Sequence, residues 1–472
     1  MNTLALIILA GAALNPALQP EHGAPALDAA SAGAAQPELK GEIGRMIERA
    51  SPGATVRVPA GVYREHVRID KPLELVADGR VVIDGGGRGD IVEIAAPDVT
   101  LRGFIIRNTG VDLDKENAAV RALAPRARLE NNTLEDILFG IDLRGAPDSV
   151  VRNNRIGGKN LDVARRGDGL RLWRSDRTLI EGNTIHDGRD AILWYSSGIV
   201  IRNNVASKCR YGLHLMFSDD VTIEDNRFTE NSVGVYLMYS AGVTIRRNLL
   251  VRNRGPSGYG IGLKETDRFT VEENLVTGNR VGVYIDGSPF TDAQPGVFHR
   301  NTFAYNDIGF TFLPSAKGNE LTDNNFIDNI DHVTVGGRGD LSANAFWKGE
   351  RGNFWSDYTG YDQNGDGVGD FVHESQTLFE NIMDKEPKLR LFLFSPAQQA
   401  IEFVGRTLPA VRPEPKFCDE VPLMRPVEIR FATPTERPSP AWLGVTGAAL
   451  LAAGAGVLGL AGRPYRTTGG HR

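Results

Sequence analysis

Apolar and polar residues alternate with period two in short bursts along the middle of the chain, as in VTIEDNRF and VGVYLMYS. That spacing belongs to strands with one buried face. No stretch of this region sustains the period of about 3.6 that a helix requires. Each burst ends on a polar pair and an asparagine, giving the markers Asn132, Asn154, Asn183, Asn204, Asn226, Asn248, Asn274, Asn301 and Asn325. Their spacings are 22, 29, 21, 22, 22, 26, 27 and 24 residues. Such a recurrence predicts a solenoid whose units bury their apolar faces only by stacking on one another. With strands and no helix in each unit, the fold class is all-β, a parallel β-helix over residues 39–374. Asparagine at a fixed turn position tolerates left-handed backbone and can stack its amide on the next coil. Longer units, at 155–166 and 286–297, predict bulges that often form a binding surface.

A second strand recurs in every unit, as in FGIDLRG, DGLRLWR, DAILWYS, YGLHLMF and VGVYLMY. Aligned on the small residue, two columns are uniformly apolar and face inward, among them Ile192 and Trp194. The alternate columns then face outward. One holds Asp142, Arg171, Leu193, His214 and Tyr236; the other holds Arg144, Trp173, Tyr195, Met216 and Met238. Only six methionines occur in the chain, and two of them fall in one outward column on adjacent coils. Stacked strands lie ~4.8 Å apart, close enough for two thioether sulfurs to approach one small ion. His214, two residues before Met216, shares that face. Thioether with imidazole is a soft donor set that suits Cu(I) over Mg, Ca or Mn. Trp173, Tyr195 and Tyr236 border the patch and mark a partner-binding surface. The alternative is that both methionines pack beneath the segment 375–410.

The phrase DQNGDGVGD offers a hard-ion site, with Asp362, Asn364 and Asp366 as oxygen donors, Gly367 at the sharp turn and Asp370 as a further donor. Calcium is the natural ion; the alternative is an acidic glycine turn with none.

The chain is long enough, at 472 residues with 41% hydrophobic, to bury a large elongated core. A net charge of −6 gives no support to nucleic-acid binding, and two cysteines, Cys209 and Cys418, exclude a disulfide scaffold while leaving one pairing open. Residues 4–14 form an apolar stretch of signal length within a leader ending near 29–32. Residues 39–50 predict an amphipathic helix capping the first coil. After Asn344 the repeat decays into a loop, a short helix and a Pro-rich linker across 375–440. Residues 441–462 are 22 uncharged residues, long enough for a transmembrane helix. Arg463, Arg466 and Arg472 follow and place the tail 463–472 in the cytoplasm, the solenoid outside it.

The coils YGLHLMFSDDVTIEDNRF and VGVYLMYSAGVTIRRNLL, with NFWSDYTGYDQNGDGVGD and NIMDKEPKLRLFLFSPA, closely resemble the NosD family. That family comprises periplasmic maturation factors of the copper enzyme nitrous-oxide reductase. The resemblance covers residues from about 40 to about 425. It implies a right-handed β-helix of the carbohydrate-binding and sugar-hydrolase type. It also implies a complex with ABC-type ATPase and permease subunits, a copper-donor lipoprotein, and apo nitrous-oxide reductase as recipient. Carried onto this chain, the copper candidates are His214, Met216 and Met238. The C-terminal span departs from the family pattern and implies tethering to the inner membrane.

Two function classes follow. One is a non-enzymatic periplasmic factor that accepts transient Cu(I) and passes it on, with no GxxxxGKS phrase and so no ATP site of its own. The rival is a polysaccharide lyase, epimerase or hydrolase, which needs clustered carboxylates in a groove. Its adjacent pair, Asp219 and Asp220, stands where neighbouring coils carry turns.

Overall fold

The structure, a computed structural model, describes residues 41–291, 294–337, 341–375, 378–393, 395–408, 415–429 and 431. The expected leader (1–32), membrane span (441–462) and tail (463–472) lie outside the described residues. Among those described, no helix is long and apolar enough to cross a membrane.

Every strand pair of the repeat is parallel and in register, and the strands stack into a solenoid of about twelve coils. Twelve strands, from Val67–Ile69 to Asp331–Val335, form one continuous sheet. The remaining repeat strands, mostly three residues long, make two further ladders that meet through the bent strand Glu74–Asp84. Inside, Ile, Val and Leu fill the first coils, and phenylalanines the last. Phe298, Phe303, Phe310 and Phe326 pack edge to face and lead to Trp355, which stacks on Phe326 at 4.2 Å.

Asparagine ladders stitch the turns. Asn226 donates through its backbone N–H and its Nδ2 to Asn248 Oδ1, and Asn248 does the same to Asn274. Each Nδ2 also reaches a main-chain carbonyl of the preceding coil, as Asn248 does to Ile223. A buried amide is thereby fully satisfied at each rung. Two expectations need correction. The left-handed residue is the one before each marker, for example Asp225 (φ 55), Arg247 (φ 52) and Glu273 (φ 54). And the ladder passes through Asn324, not Asn325: Asn301 donates to Asn324, which donates to Asn353. Asn325 instead bonds Thr302 and the main chain of Val427. A second ladder, Asn231, Asn253, Asn279, Asn306 and Asn329, runs five residues behind the first.

Both open ends are closed. Helix α1 (Glu42–Arg49) buries Ile43 and Ile47, and the Glu65 carboxylate accepts from its first-turn N–H groups of Ile43 and Gly44. At the other end, α2 (Leu378–Lys385) packs near Asp331–Val335, followed by α3 (Pro396–Thr407). Residues 415–429, expected within a linker, return over the last coil. Cys418–Asp419 pairs antiparallel with His373–Glu374, and buried Asp419 accepts from Asn353 and Trp355, terminating the asparagine ladder. Both cysteines are free thiols, Cys209 buried and Cys418 exposed, so the optional disulfide is not formed.

Candidate functional site

The twelve-stranded sheet carries the site. Its register pairs Asp142 with Arg171, Arg171 with Ile192, Ile192 with His214, and His214 with Tyr236. The second outward column runs Arg144, Trp173, Trp194, Met216, Met238 and Lys264. One coil therefore departs from expectation. A register shift between Asp190 and Ile192 turns Ile192 and Trp194 outward and sends Leu193 into the core. Tyr195 is not in the methionine column. It occupies the following left-handed turn position (φ 49), where it stacks on Phe217 at 5.2 Å, and Phe217 stacks on Tyr239 at 5.0 Å.

Met216 and Met238 face outward on adjacent coils in direct register, both half-buried. His214 is buried between them and the tyrosines, with Nε2 3.3 Å from Met238 Sδ. Its Nδ1 is buried and without a hydrogen-bond partner, 3.9 Å from Asp190 Oδ2. That separation exceeds hydrogen-bond reach. Burial would raise the Asp190 carboxyl, but His214 and Arg210 beside it bring it below the ordinary range. A proton on Nδ1, facing this carboxylate, leaves Nε2 as a lone pair opposite a thioether sulfur. Two lone pairs so close attract no hydrogen bond, yet both can donate to one soft cation. Trp194, which the column alignment had turned inward, donates its indole N–H to Met216 Sδ at 3.0 Å and so fixes that flexible side chain.

Aromatic rings surround the trio. Tyr211 meets His214 edge-on at 4.8 Å, and Tyr236 lies over it at 6.0 Å. Tyr236 leans across Gly262, where a Cβ would stand 2.1 Å from the ring, so glycine is required there. Burial raises the Tyr236 phenol, and pushes Tyr284 up to about 12, so neither offers a phenolate ligand at neutral pH. Trp173 and Tyr195 are exposed at 38% and 46%, the extent an interaction surface needs. The C-terminal helices stack on the final coils through α2, which places their packing four coils beyond Met238 along the sheet.

The same columns carry a different chemistry on earlier coils. Arg121 and Arg171 both bond Asp142, Arg121 also bonds Asp90, and Arg171 and Arg144 both bond Glu116. Burial alone would raise the Glu116 carboxyl, but the Arg171 and Arg144 guanidiniums hold it down at about 2. Where the two regions meet, a cavity of about 240 Å³ opens between Glu116, Arg144, Arg171, Trp173 and Trp194.

The acidic glycine loop is self-bonded. Asp362 accepts N–H bonds from Gly365, Asp366 and Gly367, Asp366 accepts from Val368 and from Asn364 Nδ2, and Asp370 accepts from the Gln363 N–H. Asp219 and Asp220 serve turns: Asp219 accepts from Ala241, and Asp220 is left-handed at φ 53. A histidine pair, His332 and His373, converges on Asp357 at 3.3 and 3.9 Å. There Asn329, fixed in its ladder, donates to His332 Nδ1, which leaves the His332 proton on Nε2 toward Asp357. Burial lowers His373 to about 4. This pair is spent on hydrogen bonding, and among the described residues no group of three His, Cys, Asp or Glu is arranged to hold a metal ion.

A family profile described as periplasmic copper-binding protein (NosD) matches residues 152–360, which contain both methionine-bearing coils. A protein of Pseudomonas aeruginosa described as a probable ABC transporter binding protein NosD is 30% identical over 381 residues, spanning 78% of this chain and 87% of that protein. One of the same description from Stutzerimonas stutzeri is 28% identical over 411 residues, spanning 81% and 89%. Among solved structures, an alginate lyase complex with trisaccharide aligns with a TM-score of 0.46 at 14% identity, covering 65% of this chain and 85% of that one.

Proposed function

Because the chain belongs to the NosD family of periplasmic copper-binding proteins, we propose that its central coils receive Cu(I) on His214, Met216 and Met238 and pass it to apo nitrous-oxide reductase. Copper is cargo here, held transiently. The observation that carries this reading is the buried imidazole whose Nε2 faces a thioether at 3.3 Å, with the second thioether in register beside it. Two sulfurs and one nitrogen satisfy a soft monovalent ion and leave a position open for the donor or acceptor protein. The half-buried setting suits exchange better than storage. Trp173, Tyr195 and Tyr236 form the rim on which a copper-donor lipoprotein or the apo-reductase docks, aromatic residues being the usual anchors of such contacts.

The chain acts as an accessory to an ABC-type ATPase and permease, as the description of its relatives suggests, and supplies no hydrolysis of its own. Residues 441–462 tether it to the inner membrane with the solenoid in the periplasm. Asp362, Asn364, Asp366 and Asp370 hold calcium in a structural role, the self-bonded loop presenting its remaining lone pairs outward. X-ray absorption at the copper edge on the Cu(I)-loaded full chain tests the central assignment. Mixed sulfur and imidazole scattering supports it; an all-oxygen or all-nitrogen shell removes it.

A further inference from the structure

The largest cavity with a pre-formed shape lies on the flank of this face, and its chemistry is of another kind. It encloses about 670 Å³. Its floor is the two shortest consecutive coils, at Lys208 to Tyr211 and Glu230 to Ser232, and its lips are two insertions in the repeat. One lip is the 3₁₀ turn Val163–Arg165 with Arg166; the other is the loop Arg254–Ser257. Both are fastened to the floor. Arg166 donates to the carbonyl of Lys208, and Gly258 N–H to that of Ser232. Gly255 lies so close to Ser232 that a Cβ would stand 2.5 Å from its side chain. Lips held in this way define a site before any ligand arrives.

Charge around the saddle is one-sided in a chain whose net charge is −6. Arg166, Lys208, Arg210, Arg252 and Arg254 line it against the carboxylates of Asp187 and Glu230. Arg252 and Arg254 are matched by Glu230 and Asp307, and Arg210 by Asp190. Arg166 bonds only main-chain carbonyls, and exposed Lys208 has no carboxylate partner among the described residues. Val163, Pro256 and Tyr211 add apolar surface between these cations. Burial pushes the Cys209 thiol up to about 12, so the floor offers no reactive thiolate. Anions with an apolar side group fit such a lining.

We propose that this saddle binds an acidic peptide segment of a protein partner, carboxylates on Lys208 and Arg166 and an apolar side chain against Val163 and Pro256. The inference deepens the copper-transfer reading, on which it rests for its purpose, by naming where a partner docks. The saddle and the soft-donor face share a wall: Tyr211 packs on His214, and Arg210 grips the Asp190 carboxylate that faces His214 Nδ1. A segment seated here is anchored beside the ion without covering it.

Fluorescence anisotropy of the full chain, free of copper, with a labelled pentapeptide Glu-Glu-Leu-Glu-Glu is the test. Binding should weaken with salt, and Lys208→Glu should lower affinity by about tenfold, the scale of one charge-assisted contact. Ser257→Trp, which fills the saddle and leaves every charge in place, should abolish binding. Equal binding of the Lys-for-Glu peptide, no binding at all, or unchanged affinity in either variant would overturn the proposal. So would free glutamate competing as well as the peptide, which would assign the saddle to a small carboxylate. Because copper is absent, these outcomes are independent of whether His214, Met216 and Met238 bind Cu(I).

Discussion

Coils 118–173 and coils 211–264 present the same backbone, the same register and the same two outward columns, yet their chemistry is opposite. On the earlier coils Arg121, Asp142, Arg171 and Glu116 spend every charge on one another; Asp142 is fully buried with guanidiniums on both sides. On the later coils the column positions hold His214, Tyr236, Met216 and Met238, and a buried imidazole nitrogen is left without a partner. Closed networks stabilise and specify; unsatisfied groups are strained unless something binds them. The scaffold is thus indifferent to what its outward columns carry, and function is written by substitution along a rung. Ile192 sits between the two regimes, an apolar spacer in register with Arg171 on one side and His214 on the other.

Breaking the closed network should give the largest effect. Asp142→Ala leaves two buried guanidiniums facing each other, and should cost ~3–5 kcal/mol in urea denaturation. A loss below ~1 kcal/mol would mean the lattice is far better hydrated than its burial indicates.

Next comes the stitching common to both regions. Asn248→Ala removes one rung and orphans the Asn226 amide, a loss of ~1–3 kcal/mol, centred on the coils beside it and visible by hydrogen exchange.

How far such residues could be read from the chain alone depended on the rung. The solenoid, the methionine pair and His214 were legible because period-two patterning and a recurrence near 22 residues leave few alternatives. Two local misreadings share one cause. Asn325 was taken for the marker because two asparagines are adjacent; yet every true marker stands two residues before an inward apolar residue, as Asn324 stands before Phe326. Trp194 was turned inward because DAILWYS was aligned on Ala191, although Ser175, Ser196, Ser218 and Ser240 each follow the column residue by two and would have fixed the register. The second asparagine ladder was equally available, five residues behind the first. Asp419 closing the end was not, since nothing local links it to Asn353 across 66 positions.

Acid should separate the two regions further. Glu116 is held at about 2, below its ordinary 4.5, so its stabilisation is present above pH ~4.5 and lost as pH falls toward 2. Glu116→Gln should flatten that acid limb of stability against pH, while Tyr236→Phe should leave it unchanged. Equal acid limbs in Glu116→Gln and the parent would break the distinction.

Smallest of all should be the stability change in the open region. Met216→Ala with Met238→Ala removes two half-buried side chains, and should cost ~1 kcal/mol or less each, because neither leaves a buried polar group that had a protein partner beyond the Trp194 indole. A loss comparable to Asp142→Ala would make the methionines structural.

The decisive measurement is an anaerobic competitive Cu(I) titration of the full chain, its Met216→Ala/Met238→Ala variant, and Met46→Ala as a control on a methionine distant in the fold. The parent and Met46→Ala should bind alike, and the double variant should weaken by on the order of a hundredfold or lose the site, at ~1.4 kcal/mol per factor of ten. Undiminished affinity in the double variant would contradict the assignment of copper to this face.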